Sequence, residues 1–321
     1  MEPRYTVSTR LALTALAAIL GFQIYEAVTF PIGGDEAYLY DRFVRPTIRQ
    51  VLSSELPNRN VLYSVLEKRS VGLFHVSPFA VRLPGILFGI LYLWSIWKIA
   101  NALLGVGWRF AAGVMIAGAL PLYFGWFAHG TGTGAAMSLL VCAISLAVRG
   151  QNLNLIGALI GLSICTSTIS AIPGALVAVS MLAISRRWWT WCNQVLIPSS
   201  VVVWMVLVLP MSHAHTAAEA SPGLTRSQAA HLREALDTLR ASAGQDHVRI
   251  AAVATAEPIV NFYRAQHRAN GWERAARGYS SGQFDYYLLS ASDSDWASAR
   301  HLIVLHQDAD FLLARQPAAA M

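Results

Sequence analysis

The sequence predicts a polytopic α-helical membrane protein that carries a small α/β domain outside the membrane at its C-terminal end. Three observations lead there. Of 321 residues, 55% are hydrophobic and 13% charged, with a mean hydropathy of +0.44. That is too apolar and too poor in charge for an ordinary soluble domain. Several apolar runs approach the roughly 20 residues that one span requires. The acidic residues are segregated: none lies between Glu67 and Glu219, and 11 of the 18 lie at or beyond Glu219.

In chain order, five runs qualify as spans: Leu11 to Phe30, Phe79 to Leu104, Phe110 to Phe127, Thr133 to Val148 and Val195 to Met211. A further stretch, Leu153 to Ser185, is too long for one crossing. It is expected to break at the hydroxyl-rich Thr166-Ser167-Thr168-Ile169-Ser170, with Pro173 opening the next helix. The total is about seven spans. Tyr25, Glu26 and Phe30 argue that the first is an uncleaved span rather than a signal peptide. Arg4, Arg10, Lys98, Arg109, Arg149, Arg186 and Arg187 fall on one side only if both halves of Leu153 to Ser185 cross. Short cytoplasmic loops collect Lys and Arg, so the N-terminus is predicted to be cytoplasmic and everything after Met211 periplasmic, at the inner membrane of a bacterial cell.

The predicted organisation is a transmembrane module over 1–212, a linker over 213–223 and a periplasmic α/β domain over 224–321. Within the first, the outer loop 31–78 is patterned enough to hold helices. Tyr38, Arg42, Arg45 and Arg49 recur near helical spacing, and Pro46 separates two helices. Val61 to Phe74 sets Val61, Leu62, Val65, Leu66 and Leu73 against Glu67, Lys68 and Arg69, which predicts a helix lying along the membrane surface. In the last domain Leu232, Leu236 and Leu239 make one helical face and Gly244 is a C-terminal cap. Val248 to Ala254 reads as a strand, Pro258 to Ala269 as a helix, Asp285 to Leu289 and His301 to Leu305 as strands, and Phe311 to Ala314 as an edge strand.

Chemistry close to the membrane must draw its carboxylates from Gly33-Gly34-Asp35-Glu36 or its near followers. A carboxylate just past a membrane exit is placed to take a proton from an acceptor hydroxyl. The competing reading is that Asp35 or Glu36 caps the next helix. Arg42, Arg45, Arg49, Arg59, Lys68, Arg69 and Arg82 give the loop a cationic surround in sequence, and the guanidinium groups among them suit a phosphate bidentately. Equally, they suit the headgroups of bulk phospholipid. Arg82 opens an otherwise apolar run and needs a fixed anionic or carbonyl partner. The turn Ala128-His129-Gly130-Thr131-Gly132-Thr133-Gly134 lacks the lysine of a nucleotide loop. It reads either as a tight helix hairpin or as a turn presenting His129 to a cavity. His213 and His215 have only Glu219 as further company for a metal ion. His301 and His306 mark the ends of a strand. Cys142, Cys165 and Cys192 lack metal-ligand spacing and read as buried thiols. The formal charge of +6 is spread singly beside apolar runs, which argues against nucleic acid.

A first span, an outer Asp-Glu loop with helices, and then Phe79-Ala80-Val81-Arg82-Leu83-Pro84-Gly85 opening the next span together resemble the GT-C class of membrane glycosyltransferases. That group contains the protein O-mannosyltransferases and lipid A aminoarabinose transferase, and this chain would be a short and divergent member. The resemblance covers roughly residues 1 to 212. It implies that Asp35 is the catalytic base, with Glu36 beside it on the acceptor side, and that Arg42, Arg59, Arg82 and His129 meet the donor phosphate. It further implies a polyprenyl-phosphate sugar as donor, no cofactor and no metal. The acceptor is a glycan, lipid or protein at the outer face, with envelope glycan assembly proteins and membrane lipid as partners. The family's Asn-His pair is absent, Asn58-Arg59-Asn60 standing in that loop. Tyr38 and His129 occupy places where relatives carry Arg. The alternatives are a catalytically reduced scaffold that holds a lipid-linked sugar and, further off, a transporter. Against the transporter, the runs show no repeated halves and the middle of the membrane lacks ionisable residues.

Overall fold

The computed structural model describes residues 7–47, 61–125, 127, 129, 132–150, 153–167, 226–243, 247–269, 271–279 and 282–317. In chain order the helices are α1 (Val7–Thr29), α2 (Gly34–Leu39), α3 (Val61–Phe74), α4 (Pro78–Leu104), α5 (Trp108–Phe124), α6 (Gly132–Val148), α7 (Leu153–Thr166), α8 (Arg226–Ala243), α9 (Glu257–Gln266) and α10 (Ser294–Ala299). The strands are β1 (Ile250–Ala252), β2 (Ala276–Arg277), β3 (Tyr286–Ser290), β4 (Ile303–Gln307) and β5 (Phe311–Arg315). The chain divides into two compact units. A helical unit takes Met1–Thr29, Thr47–Leu73 and Phe79–Ala218, and a sheet unit takes Phe30–Pro46, Phe74–Pro78 and Glu219–Met321.

In the helical unit, α1 and α4 are long and apolar enough to cross a bilayer. The helices α5, α6 and α7 are apolar but have 17, 17 and 14 residues. At 1.5 Å per residue, 17 residues cover about 25 Å of a hydrocarbon core about 30 Å thick. Of the expected seven spans, the described residues therefore supply two of full length. α7 stops at Thr166, where the hydroxyl-rich stretch begins; Pro173, Cys192, the Val195 to Met211 run, and His213 with His215 lie outside the described residues.

The patterning of α1 is the reverse of a soluble surface helix. It buries Ser8, Thr9, Gln23 and Glu26 while Val7, Leu11, Phe22, Tyr25 and Val28 are exposed, and apolar surroundings satisfy such an arrangement where water does not. Helix contacts use small residues and hydroxyls, the means by which helices associate without a hydrophobic difference to drive them. Ala12, Ala100, Phe110, Ala111 and Val114 form one core cluster, and Leu140, Ala143, Leu146, Ile156 and Ile160 join α6 to α7. Tyr92 Oη donates to the Ala117 carbonyl at 2.8 Å, Ser138 Oγ to Phe88 at 2.7 Å, and Ser163 Oγ to Ala136 at 2.8 Å.

One expectation is corrected here. α3 forms as the spacing predicts, but its buried residues are Tyr63, Ser64, Glu67 and Ser70, while Val65, Leu73 and Phe74 are exposed. The polar side has partners inside the unit: Ser70 Oγ donates to the Ala80 carbonyl at 2.5 Å. A hydroxyl bonded to a main-chain carbonyl is worth more there than facing an apolar exterior.

The sheet unit holds a mixed five-stranded sheet in the order β2-β1-β3-β5-β4. β1 runs parallel to both neighbours, and β5 runs antiparallel to β3 and β4. The predicted strand at Phe311 is thus not an edge. β5 is buried between β3 and β4, and β4 is the edge, with Ile303 and Val304 about half exposed. The reason is visible in composition: Phe311 to Ala314 are uniformly apolar, which suits a central strand better than a border. On one face, Ala251, Tyr287, Leu289, Leu312 and Ala314 pack with Ala297 and Leu302. α8 packs against β4 and β5, burying Ala229, Leu232, Leu236, Leu239 and Ala243 at the three- and four-residue spacing of an amphipathic helix. α9 begins with Pro258 in its first turn, where its missing N–H costs nothing.

Candidate functional site

The Asp-Glu loop belongs to the sheet unit. Gly33 is extended (φ −79°, ψ 163°), and its carbonyl accepts the Ala37 N–H at 2.9 Å, starting α2. Its own N–H donates to Glu36 Oε2 at 2.8 Å. Glu36 is 1% exposed, so its carboxylate closes the first turn in the manner of a capping box. Asp35, one residue earlier, is exposed. The two neighbours thus divide: one carboxylate turns inward onto the backbone, and the other faces out.

Past Leu39 the helix widens into a π-type turn over Tyr40–Val44, closed by Arg45 N–H on the Tyr40 carbonyl at 2.8 Å. Such turns recur at functional positions. This one lays Tyr40 edge-on against Phe262 of α9, ring centroids 5.1 Å apart, and buries Asp41. Asp41 pairs with Arg45 at 3.1 Å and with Arg274. Arg274 also lies 3.9 Å from Glu257 Oε1. Asn261 Nδ2 donates to that same oxygen at 3.0 Å, and Asn261 Oδ1 accepts the Ala275 N–H at 3.0 Å. Arg264 stands among these groups. Burial, then repulsion from Arg45 and Arg274, lowers its pKa against the pull of Asp41. Three guanidiniums therefore share two carboxylates, and the loop is tied to α9 and the segment after it.

Arg42 lies on the same turn, its guanidinium 5.9 Å from the Tyr38 ring centroid. Arg82 and His129 belong to the helical unit. Arg82 is 2% exposed and donates from Nη1 to the Ala27 carbonyl at 3.2 Å, supplying the carbonyl partner its position required. His129 is half-buried, with Nδ1 2.9 Å from the Gly125 carbonyl; as donor it carries its proton on that nitrogen. Gly85 explains part of the Arg82-Leu83-Pro84-Gly85 run: a Cβ there would stand 3.1 Å from the Phe127 carbonyl and 3.3 Å from the Tyr63 hydroxyl. Arg59 lies outside the described residues.

The structure thus gathers Asp35, Glu36 and Arg42 on one short element. It adds Asp41, Arg264, Arg274 and Glu257, which the sequence did not single out. Asp41 and Arg274 are 233 residues apart, and no local pattern couples them. Glu36→Ala is expected to destabilise the loop by about 1 kcal/mol, read as faster amide exchange at Gly33 and Ala37, whereas Glu36→Gln, which still offers an acceptor oxygen, retains most of the protection. Comparison with protein-family models, curated proteins and solved structures gives no match to this chain.

Proposed function

We propose that the protein is a membrane glycosyltransferase of GT-C-like architecture, moving a sugar from a polyprenyl-phosphate donor to an acceptor at the periplasmic face. The observation that carries this reading is the division of labour between adjacent carboxylates. Glu36 is held by the Gly33 N–H, while Asp35 is exposed on the helix it begins. Asp35 takes the proton of an acceptor hydroxyl as that oxygen attacks the anomeric carbon. The bond from that carbon to the phosphate oxygen breaks with inversion, its electron pair leaving on the lipid phosphate. Arg42, Arg59 and Arg82 carry positive charge, and His129 a ring N–H, to meet the departing phosphate.

The membrane setting is supported by two helices of spanning length and by the reversed patterning of α1. The placement of Lys and Arg orients the chain with its N-terminus in the cytoplasm and the sheet unit in the periplasm. A cysteine introduced at the exposed Ala230 of α8 is expected to react with a membrane-impermeant maleimide in intact spheroplasts; reaction only after lysis overturns the orientation.

Activity is tested with purified protein in liposomes and a radiolabelled polyprenyl-phosphate sugar, scored by label reaching an acceptor fraction. One observation favours a second reading, a scaffold that binds the donor without turning it over: Arg82 and His129 are both engaged with backbone carbonyls. Donor binding without transfer by the wild-type protein decides for that reading.

A further inference from the structure

We infer that Arg45, Arg264 and Arg274 form a phosphate-binding site on the sheet unit, next to the Asp-Glu loop, and that it takes the phosphate of a polyprenyl-linked donor. The identity of that donor rests on the glycosyltransferase reading above; the phosphate site stands on its own geometry. Arg45 closes the π-type turn after α2, Arg264 lies on α9, and Arg274 lies between α9 and β2. All three belong to the sheet unit. Two of them come from the far end of the chain, which the resemblance to membrane glycosyltransferases did not cover.

The carboxylates nearby are already used. Asp41 gives one oxygen to Arg45 Nη1 at 3.1 Å and the other to Arg274 Nη2. Glu257 Oε1 takes Asn261 Nδ2 at 3.0 Å and lies 3.9 Å from Arg274. Arg264 follows Asn261 by three residues and Glu257 by seven, so α9 sets it on the same face as both. Yet among the described residues it donates to no acceptor and pairs with no carboxylate. One guanidinium of the three is therefore left over.

That surplus is costly as it stands. Arg264 is half-buried, and a partly desolvated cation beside two like charges is unfavourable without a counter-ion. Burial and the repulsion from Arg45 and Arg274 both act to lower its pKa. An oxyanion held between the three removes the deficit. Guanidinium forks match the oxygens of a phosphate in distance and plane, and bind them through paired N–H groups. Access is open from one side only. Asp41 and Glu257 are buried behind the cluster, while Arg45 and Arg274 are each nearly half exposed. The two carboxylates thus hold the guanidiniums in place and leave a single net positive charge facing out.

The placement suits the proposed reaction. Arg45 follows Asp35 by ten residues along α2 and the turn that continues it, about 15 Å at the helical rise. Two side chains and one sugar ring bridge such a gap. A donor phosphodiester carries one negative charge and the released lipid phosphate approaches two, so the site contributes more as the bond breaks. Arg82 and His129, by contrast, are engaged with backbone carbonyls.

The test measures binding, which needs no turnover, on the full-length protein in detergent. The probes are a polyprenyl monophosphate, the same polyprenol without phosphate, and inorganic phosphate. The wild-type protein is expected to bind the polyprenyl phosphate at least about 10-fold more tightly than the polyprenol, and Arg264→Ala to lose about 10-fold or more of that affinity, the scale of one charge-assisted hydrogen bond. Its unfolding temperature should stay as in the wild type, because Arg264 has no acceptor to lose. Arg264→Lys should keep part of the affinity, and Arg300→Ala, which removes a cation elsewhere on the sheet unit, should keep all of it. Equal wild-type binding of polyprenol and polyprenyl phosphate, or wild-type affinity in Arg264→Ala, overturns the site. Inorganic phosphate that binds as tightly as the lipid phosphate overturns the assignment to a lipid-linked donor. The transferase reading fails separately, through an absence of sugar transfer by a protein that still binds polyprenyl phosphate through Arg264.

Discussion

Asp35→Asn is expected to lower sugar transfer from a polyprenyl-phosphate donor by about 10² to 10⁴-fold, the range associated with loss of a positioned base, while donor binding and thermal unfolding stay as in the wild-type protein. The substitution keeps the shape of the side chain and removes its ability to hold a proton. Asp35 is exposed in the first turn of α2, so the change removes no buried charge. Glu36 is no substitute. Its carboxylate is buried and accepts the Gly33 N–H, so reaching an acceptor would require opening the turn that starts the helix. A double variant, Asp35→Asn with Glu36→Gln, should therefore be no slower in transfer than Asp35→Asn alone. Transfer by Asp35→Asn at the wild-type rate removes Asp35 as the base, whatever becomes of the membrane architecture.

Asp41→Ala is expected to act differently, lowering both stability and transfer. Its carboxylate is nearly buried and faces Arg45 and Arg274, while Glu257 approaches Arg274 from the other side. Removing it leaves Arg45, Arg264 and Arg274 with one carboxylate between them. Losing one partner of a fully buried pair costs about 3–5 kcal/mol. Arg45 and Arg274 are more than 40% exposed, so water compensates in part and about 2 kcal/mol is the expected loss. Thermal unfolding followed by circular dichroism reads that loss. Arg274→Asp combined with Asp41→Arg should recover part of it, with a coupling energy outside the additive range. A neutral Asp41→Ala variant would mean that the Tyr40 contact with Phe262 holds the loop on α9 without ionic help. The two substitutions separate roles: Asp35→Asn changes rate at constant stability, and Asp41→Ala changes both.

Much of the fold is legible in the sequence because it rests on local periodicity. The apolar runs at Val7–Thr29 and Pro78–Leu104 form helices within a few residues of where composition places them. The Leu232, Leu236 and Leu239 face is the buried stripe of α8. Strands form wherever apolar residues run together between turns, although β2, only two residues long, carries too little pattern to be seen. The orientation of α3 escapes such a reading for an identifiable reason. A periodic stripe says which residues share a side, not whether that side meets protein or surroundings, and in α3 the polar side has its partners inside.

The sequence by itself determined where most of the longer helices and strands of the described residues lie, though not β2 or α10, that Asp35 and Glu36 sit where a helix opens, and that Arg82 needs a carbonyl or an anion. Each rests on hydrogen bonding and burial within a few turns of chain. Only the tertiary structure decided that Glu36 is spent on its own backbone while Asp35 is exposed, that Asp41 belongs to Arg274, and that His231 stands beside Asp310. The last two are encounters between distant segments. Charge and hydrogen bonding act through space, and the folded path of the chain, not its order, sets which groups come within reach.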